Sequence, residues 1–191
     1  MATSDDALSS ARRAAEASYA RARAACPAAP AWLALHLGDE AAALALGTAV
    51  RPAQVIAVDL GLATLARRFF TSDRPGEAAI EMAIAEVEDV IMPLRAALPA
   101  EALLVSTDAA VAEVAVQAGL ALDAGPVTLD RETVEALFNR WAALALGRPT
   151  SQDALPVAGR FAATLLVLRE WLHHLPQATL TVARPQTLTQ D

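Results

Sequence analysis

The chain has 191 residues, 55% of them hydrophobic, with a mean hydropathy of +0.35 and a formal charge of −7. That length suits one domain with an appended arm, and that much apolar material excludes a disordered chain. The acidic balance, with a pI of about 4.9, excludes nucleic-acid binding through a broad basic face, and no apolar run approaches the ~18–20 residues of a membrane span.

In chain order, residues 5–25 read as an Ala-rich helical arm, with Asp5 and Asp6 near its start where carboxylates suit the helix dipole. Arg12, Arg13, Arg21 and Arg23 are expected on a solvated face of this arm. "CPAAPA" over 26–31 ends it. Three strands follow, at 32–37, 41–47 and 54–59, separated by the turn Gly38-Asp39-Glu40 and by Arg51-Pro52. The second of them, "EAAALALG", also has helix-forming composition. A short helix is predicted within 60–70.

Residues 75–98 carry the clearest helical pattern. Ile80, Ile84, Val87, Ile91 and Leu94 form one apolar seam, and Pro93 should kink or end the regular helix. A strand at 102–107, a helix at 109–118 and a C-cap at Gly119 come next. A helix is predicted over 128–147, capped by Thr128 or Asp130, and another over 157–175 that is apolar around much of its circumference. The latter helix must be buried between layers or shared with a partner. A last strand at 178–183 precedes a frayed tail.

This reading gives an arm (1–26), a single α/β domain (31–184) and a flexible tail (185–191). The domain is a mixed five-stranded sheet, a three-strand meander then two crossover strands, with helices on its faces. In element order it is similar to the ribonuclease-H-like architecture. It departs from the nucleases of that class because "WLALHL" holds no acidic residue.

The chemistry open to the chain is narrow. All fifteen basic residues are arginine, which excludes a lysine Schiff base and a Walker-type lysine. Cys26 is the only cysteine, so there is no intrachain disulfide and no multi-cysteine zinc site, and its place before Pro27 supports no nucleophilic role. No GxGxxG or GxSxG occurs.

Three constellations remain. Asp39, Asp59 and Asp108 follow strands running the same way, and strand-end carboxylates can bind Mg²⁺ or Mn²⁺. Each also fits a turn or a helix cap, and a cap is the expected role of Asp108. Glu77, Glu81 and Glu88 fall within about 40° of one another on their helix, either as a solvated border or as helpers to a metal. His173 and His174 are adjacent and point apart, whereas Glu170 and His174 stand at i, i+4 and can meet.

From the exclusions, the leading expectation is a small acidic cytoplasmic protein without catalytic activity, and with no cofactor. It would act by protein–protein interaction or self-association as a homo-oligomer, with no nucleic-acid or membrane partner. The alternative is a Mg²⁺- or Mn²⁺-dependent hydrolase of a phosphorylated small molecule. It would use Asp39, Asp59 and Asp108 for catalysis, with Glu81 and Glu88 as further metal ligands. A third reading is a module that binds a small metabolite at the strand ends without chemistry.

Overall fold

A computed structural model describes residues 3–72, 74–147, 155–156 and 159–185. Residues 148–154 of the loop expected at 148–156, the first two residues of the helix expected at 157–175, and residues 186–191 of the tail lie outside them. No helix among the described residues is long and apolar enough to cross a membrane.

The meander forms as its turn signals imply. Strands β1 (Trp32–Leu37), β2 (Ala42–Gly47) and β3 (Gln54–Val58) pair antiparallel in sequence, so β3 runs parallel to β1. The apolar run of β2 is a strand in spite of its alanines, because both neighbours pair with it and bury it. Helices α2 (Leu62–Phe69) and α3 (Glu77–Ile91) follow. At Met92, with Pro93 in its first turn, the chain tightens into a 3₁₀ segment through Ala97. Strand β4 (Leu103–Ser106) then pairs parallel with β1, and α4 (Ala109–Gln117) leaves its end.

The sheet has six strands, not five. Val127–Asp130, with 128–130 expected to open a helix, forms strand β5, antiparallel to β6 (Thr179–Val182). Asp130 ends that strand and also caps α5 (Arg131–Ala145), accepting a bond from the Thr133 amide at 2.8 Å. The sheet order is β3-β2-β1-β4-β6-β5, and β6 is parallel to β4. Strands β1, β3, β4 and β6 therefore share one carboxyl edge.

The two faces of the sheet are covered differently. On one lies the N-terminal helix, α1 (Ser4–Ala25), alone. Its Ala11, Ala15 and Ala22 meet Ala34, Ala43 and Ala45 of the strands, and the small side chains bring Cα atoms of helix and sheet within 8 Å. The arginines expected on a solvated face are largely spent on the body. Arg12 Nη1 donates to the Val55 carbonyl at 2.6 Å, Arg21 bonds Thr107 and Ser18, and Arg23 lies over the Trp32 ring.

On the other face α6 (Gly159–His174) is ringed by α2, α3, α4 and α5. Phe161 through Leu168 are all buried, so the apolar circumference read from sequence is consumed within the chain.

Candidate functional site

The carboxyl edge is where an open α/β sheet presents loops and helix termini to a ligand. Asp108 stands there at the N-cap position of α4, but its side chain makes no capping bond. Oδ2 instead accepts the Leu37 amide proton at 2.7 Å, and Oδ1 lies 3.0 Å from His36 Nδ1. The expected cap is thus corrected. Strand β4 pairs with β1 only as far as Ser106, and the Asp108 carboxylate takes the next free β1 amide. In the tautomer whose Nδ1–H donates to Asp108, the lone pair of His36 is on Nε2.

Two glycines make this arrangement possible. A Cβ on Gly38 would stand 2.6 Å from the Ala41 carbonyl oxygen and 3.2 Å from His36 Nε2, so the imidazole needs glycine there. A Cβ on Gly61 would strike the Asp39 carbonyl at 2.5 Å. The Gly38 and Asp39 carbonyls accept the Leu62 and Ala63 amides at 3.0 and 2.9 Å, which docks the turn on the first turn of α2.

His36 lines hollows on both sides of itself. One, of about 260 Å³, includes Asp108, Glu113 and Arg160. The other, of about 220 Å³, includes Ser10, Gly38 and Asp39. Arg160, in the first turn of α6, pairs with Asp39 at 3.0 Å. A third hollow of about 430 Å³ on the same edge brings Arg21, Thr107 and Arg184 together. A larger one, about 490 Å³, opens at the opposite edge beside Cys26 and Glu101. It gathers no histidine or arginine, and burial pushes the Cys26 thiol pKa up, away from the reactive thiolate.

The sequence-predicted residues are thus distributed unevenly. Asp39, Asp59 and Asp108 do follow parallel strands, but their oxygens do not converge on one point. Asp39 is exposed and paired with Arg160, Asp59 is exposed, and both Asp108 oxygens are engaged. Glu81 is exposed on α3. Glu88 belongs to a different group. Its Oε1 lies 2.9 Å from His174 Nε2, and Glu170 Oε2 lies 3.3 Å from the same nitrogen. Among the described residues, these three form the one set of His, Cys, Asp and Glu ligand atoms within 4.8 Å of one another. The expectation of no cofactor is corrected on this ground, since the chain carries a carboxylate–histidine group suited to a metal.

Around that group the charges interlock. Glu170 is buried, and burial, reinforced by the Glu88 charge, holds its carboxyl above the usual range in spite of Arg169. Glu135 of α5 accepts from Arg169 Nε at 3.0 Å and pairs with His173 Nε2 at 2.8 Å. Burial raises the Glu135 carboxyl, but His173 and Arg169 together outweigh that and leave it lowered. The adjacent histidines therefore serve different helices, as their 100° offset requires.

No protein-family model and no curated protein matches the chain. Solved structures do. The chain is similar to a PPX-GPPA enzyme from Aquifex aeolicus (TM-score 0.74, 13% identity, covering 91% of this chain and 60% of that one). It is also similar to the type II variant of the Aquifex aeolicus Ppx/GppA phosphatase (0.71, 12%, 91% and 59%). A third likeness is to an exopolyphosphatase from Cytophaga hutchinsonii (0.67, 17%, 90% and 59%). The chain spans about 60% of the length of these structures. At such identities the likeness is one of fold. It overturns the leading expectation of a non-catalytic interaction protein, because the folds it resembles are named as phosphatases.

Proposed function

We propose that the chain carries a phosphatase-type hydrolytic unit acting on a phosphorylated small molecule or a polyphosphate at the carboxyl edge of the sheet. One observation carries the reading: Asp108 orients His36 inside a hollow that also holds Arg160. A carboxylate that fixes one imidazole nitrogen leaves the other as a general base. His36 Nε2 takes a proton from the attacking water. Arg160, exchanging Asp39 for substrate, engages phosphate oxygens. The Arg21–Thr107–Arg184 hollow suits further phosphates of a chain.

Mg²⁺ or Mn²⁺ fits this edge in the manner usual for Mg²⁺, through one or two carboxylates together with substrate phosphate. Asp39 or Asp59, both exposed at the strand ends, would supply one such carboxylate. When bound there, such an ion would supply positive charge against the phosphoryl oxygens. A cytoplasmic location belongs to the same proposal, supported by a single cysteine that permits no intrachain disulfide.

The test is release of inorganic phosphate from p-nitrophenyl phosphate and from short polyphosphate, with Mg²⁺ or Mn²⁺ present. Turnover that falls in His36→Gln and in Asp108→Asn supports the reading. A wild-type chain without turnover on either substrate ends it.

A further inference from the structure

We propose that Glu88, Glu170 and His174 form a structural site for a first-row transition-metal ion that joins α3 to α6. The site is remote from the edge where hydrolysis is placed. Arg160 and His174 are separated by fourteen positions on α6, about 21 Å along the helix axis. The inference does not rest on the phosphatase reading.

The first argument is geometric. His174 Nε2 has a carboxylate oxygen of Glu88 at 2.9 Å and one of Glu170 at 3.3 Å. A single ring nitrogen offers one proton or one lone pair, so it cannot make a directed bond to both oxygens. Metal–ligand bonds of about 2.1 Å place neighbouring ligands roughly 3.0 Å apart in an octahedron and roughly 3.4 Å apart in a tetrahedron. The 3.3 Å separation falls in that interval and the 2.9 Å one just below it, and all three ligand atoms lie within 4.8 Å of one another, so side-chain adjustment alone can bring them onto one ion.

The second argument is burial. Glu170 is only 1% exposed, yet it faces a second carboxylate across one imidazole. Its Oε1 is held by Arg169, which leaves Oε2 aimed at the nitrogen that Glu88 also approaches. A cation between them removes the repulsion that a buried carboxylate pair carries.

The surroundings have the form of a supporting shell. Arg169 anchors Glu170 and is itself held by Glu135. Arg95 donates to the His174 carbonyl at 3.0 Å and steadies the last turn of α6. One imidazole with two carboxylates suits Zn²⁺, Mn²⁺ or Co²⁺, whereas Mg²⁺ prefers oxygen alone. Partial exposure of Glu88 and His174 leaves an entry path.

The experiment strips the full chain with a chelator and adds back Co²⁺, Zn²⁺ or Mg²⁺. It follows binding by calorimetry and Co²⁺ by its visible absorption. One equivalent of Co²⁺ or Zn²⁺ should bind and raise Tm by about 5 °C or more at a hundredfold excess over Kd, with a much smaller response to Mg²⁺. His174→Ala and Glu88→Gln should each weaken binding at least about tenfold. Both side chains are about one-third exposed, at 31% and 38%, so the variants can be checked for a wild-type circular-dichroism spectrum before titration. His36→Gln and Asp39→Asn should bind as the wild type does. No uptake by the stripped chain, or undiminished uptake in both the His174 and Glu88 variants, overturns the site and leaves a histidine side chain between two carboxylates.

Discussion

Two of the carboxylate–histidine groups among the described residues, Asp108 with His36 and Glu88 and Glu170 with His174, are built in opposite ways. At the carboxyl edge one carboxylate serves one histidine, and its second oxygen is spent on a backbone amide of β1. At the far end of α6 two carboxylates serve one histidine, and neither is tied to the backbone of the sheet. The first is a fixed pair with a free nitrogen. The second is a surplus of negative charge around a single nitrogen. The residue types are alike, so what separates the proposed base from the proposed cation site is the number of competing acceptors and the source of the second hydrogen bond.

The largest expected effect concerns the first group. His36→Gln should lower kcat for phosphate release by about 10²–10⁴-fold with little change in KM, the range for loss of a general base. An equal loss in His174→Gln would erase the distinction between the groups. Next comes the buried member of the second group. Glu170→Ala leaves Arg169 without its closest partner and should cost about 3 kcal/mol in urea unfolding. A smaller cost, about 1–2 kcal/mol by the same measurement, is expected for Asp108→Ala, which deprives the Leu37 amide of its acceptor. If the Asp108 change costs more than the Glu170 change, backbone tethering outranks burial and the comparison must be reversed.

The smallest effect is a pH dependence in the metal-free chain. Glu135 is held below the usual carboxylate value, so its contribution to stability is complete above pH ~4.5 and fades as pH falls through its lowered folded pKa. Glu170 is held above that value, so its contribution is complete at lower pH and fades as pH rises through its raised folded pKa. Glu135→Gln should flatten the acid limb of the stability curve by less than about 1 kcal/mol, since that ion pair is partly solvated. An unchanged acid limb would show that the His173 and Arg169 contacts add nothing to stability.

Much of this architecture can be read along the chain because its causes are local. The seam from Ile80 to Leu94 and the proline at 93 specify α3 and its 3₁₀ ending. The turn residues around 38–40 and 51–52 specify the meander. Strand β5 is hidden because four residues of alternation are too few to separate a strand from a helix entry, and its last residue is a genuine cap. The site is less legible still. Glu170 and His174 announce themselves at i, i+4, but Glu88 reaches that histidine across 86 positions, and Asp108 reaches His36 across 72. Strand direction places Asp39, Asp59 and Asp108 on one edge. Whether their oxygens converge depends on which backbone amides and arginines claim them first, and those partners come from distant elements.

One contact on the opposite face carries a consequence for behaviour in concentrated solution. Strand β3 is one of the two outer strands of the sheet, a mostly apolar "QVIAV" with no strand on its far side among the described residues. Such a border invites a strand from another molecule. The guanidinium of Arg12 occupies the Val55 carbonyl, so a side chain of the N-terminal helix takes one of the acceptors on that border. Detachment of α1 would expose a template for strand addition, and the earliest sign of its loosening would be intermolecular pairing along β3.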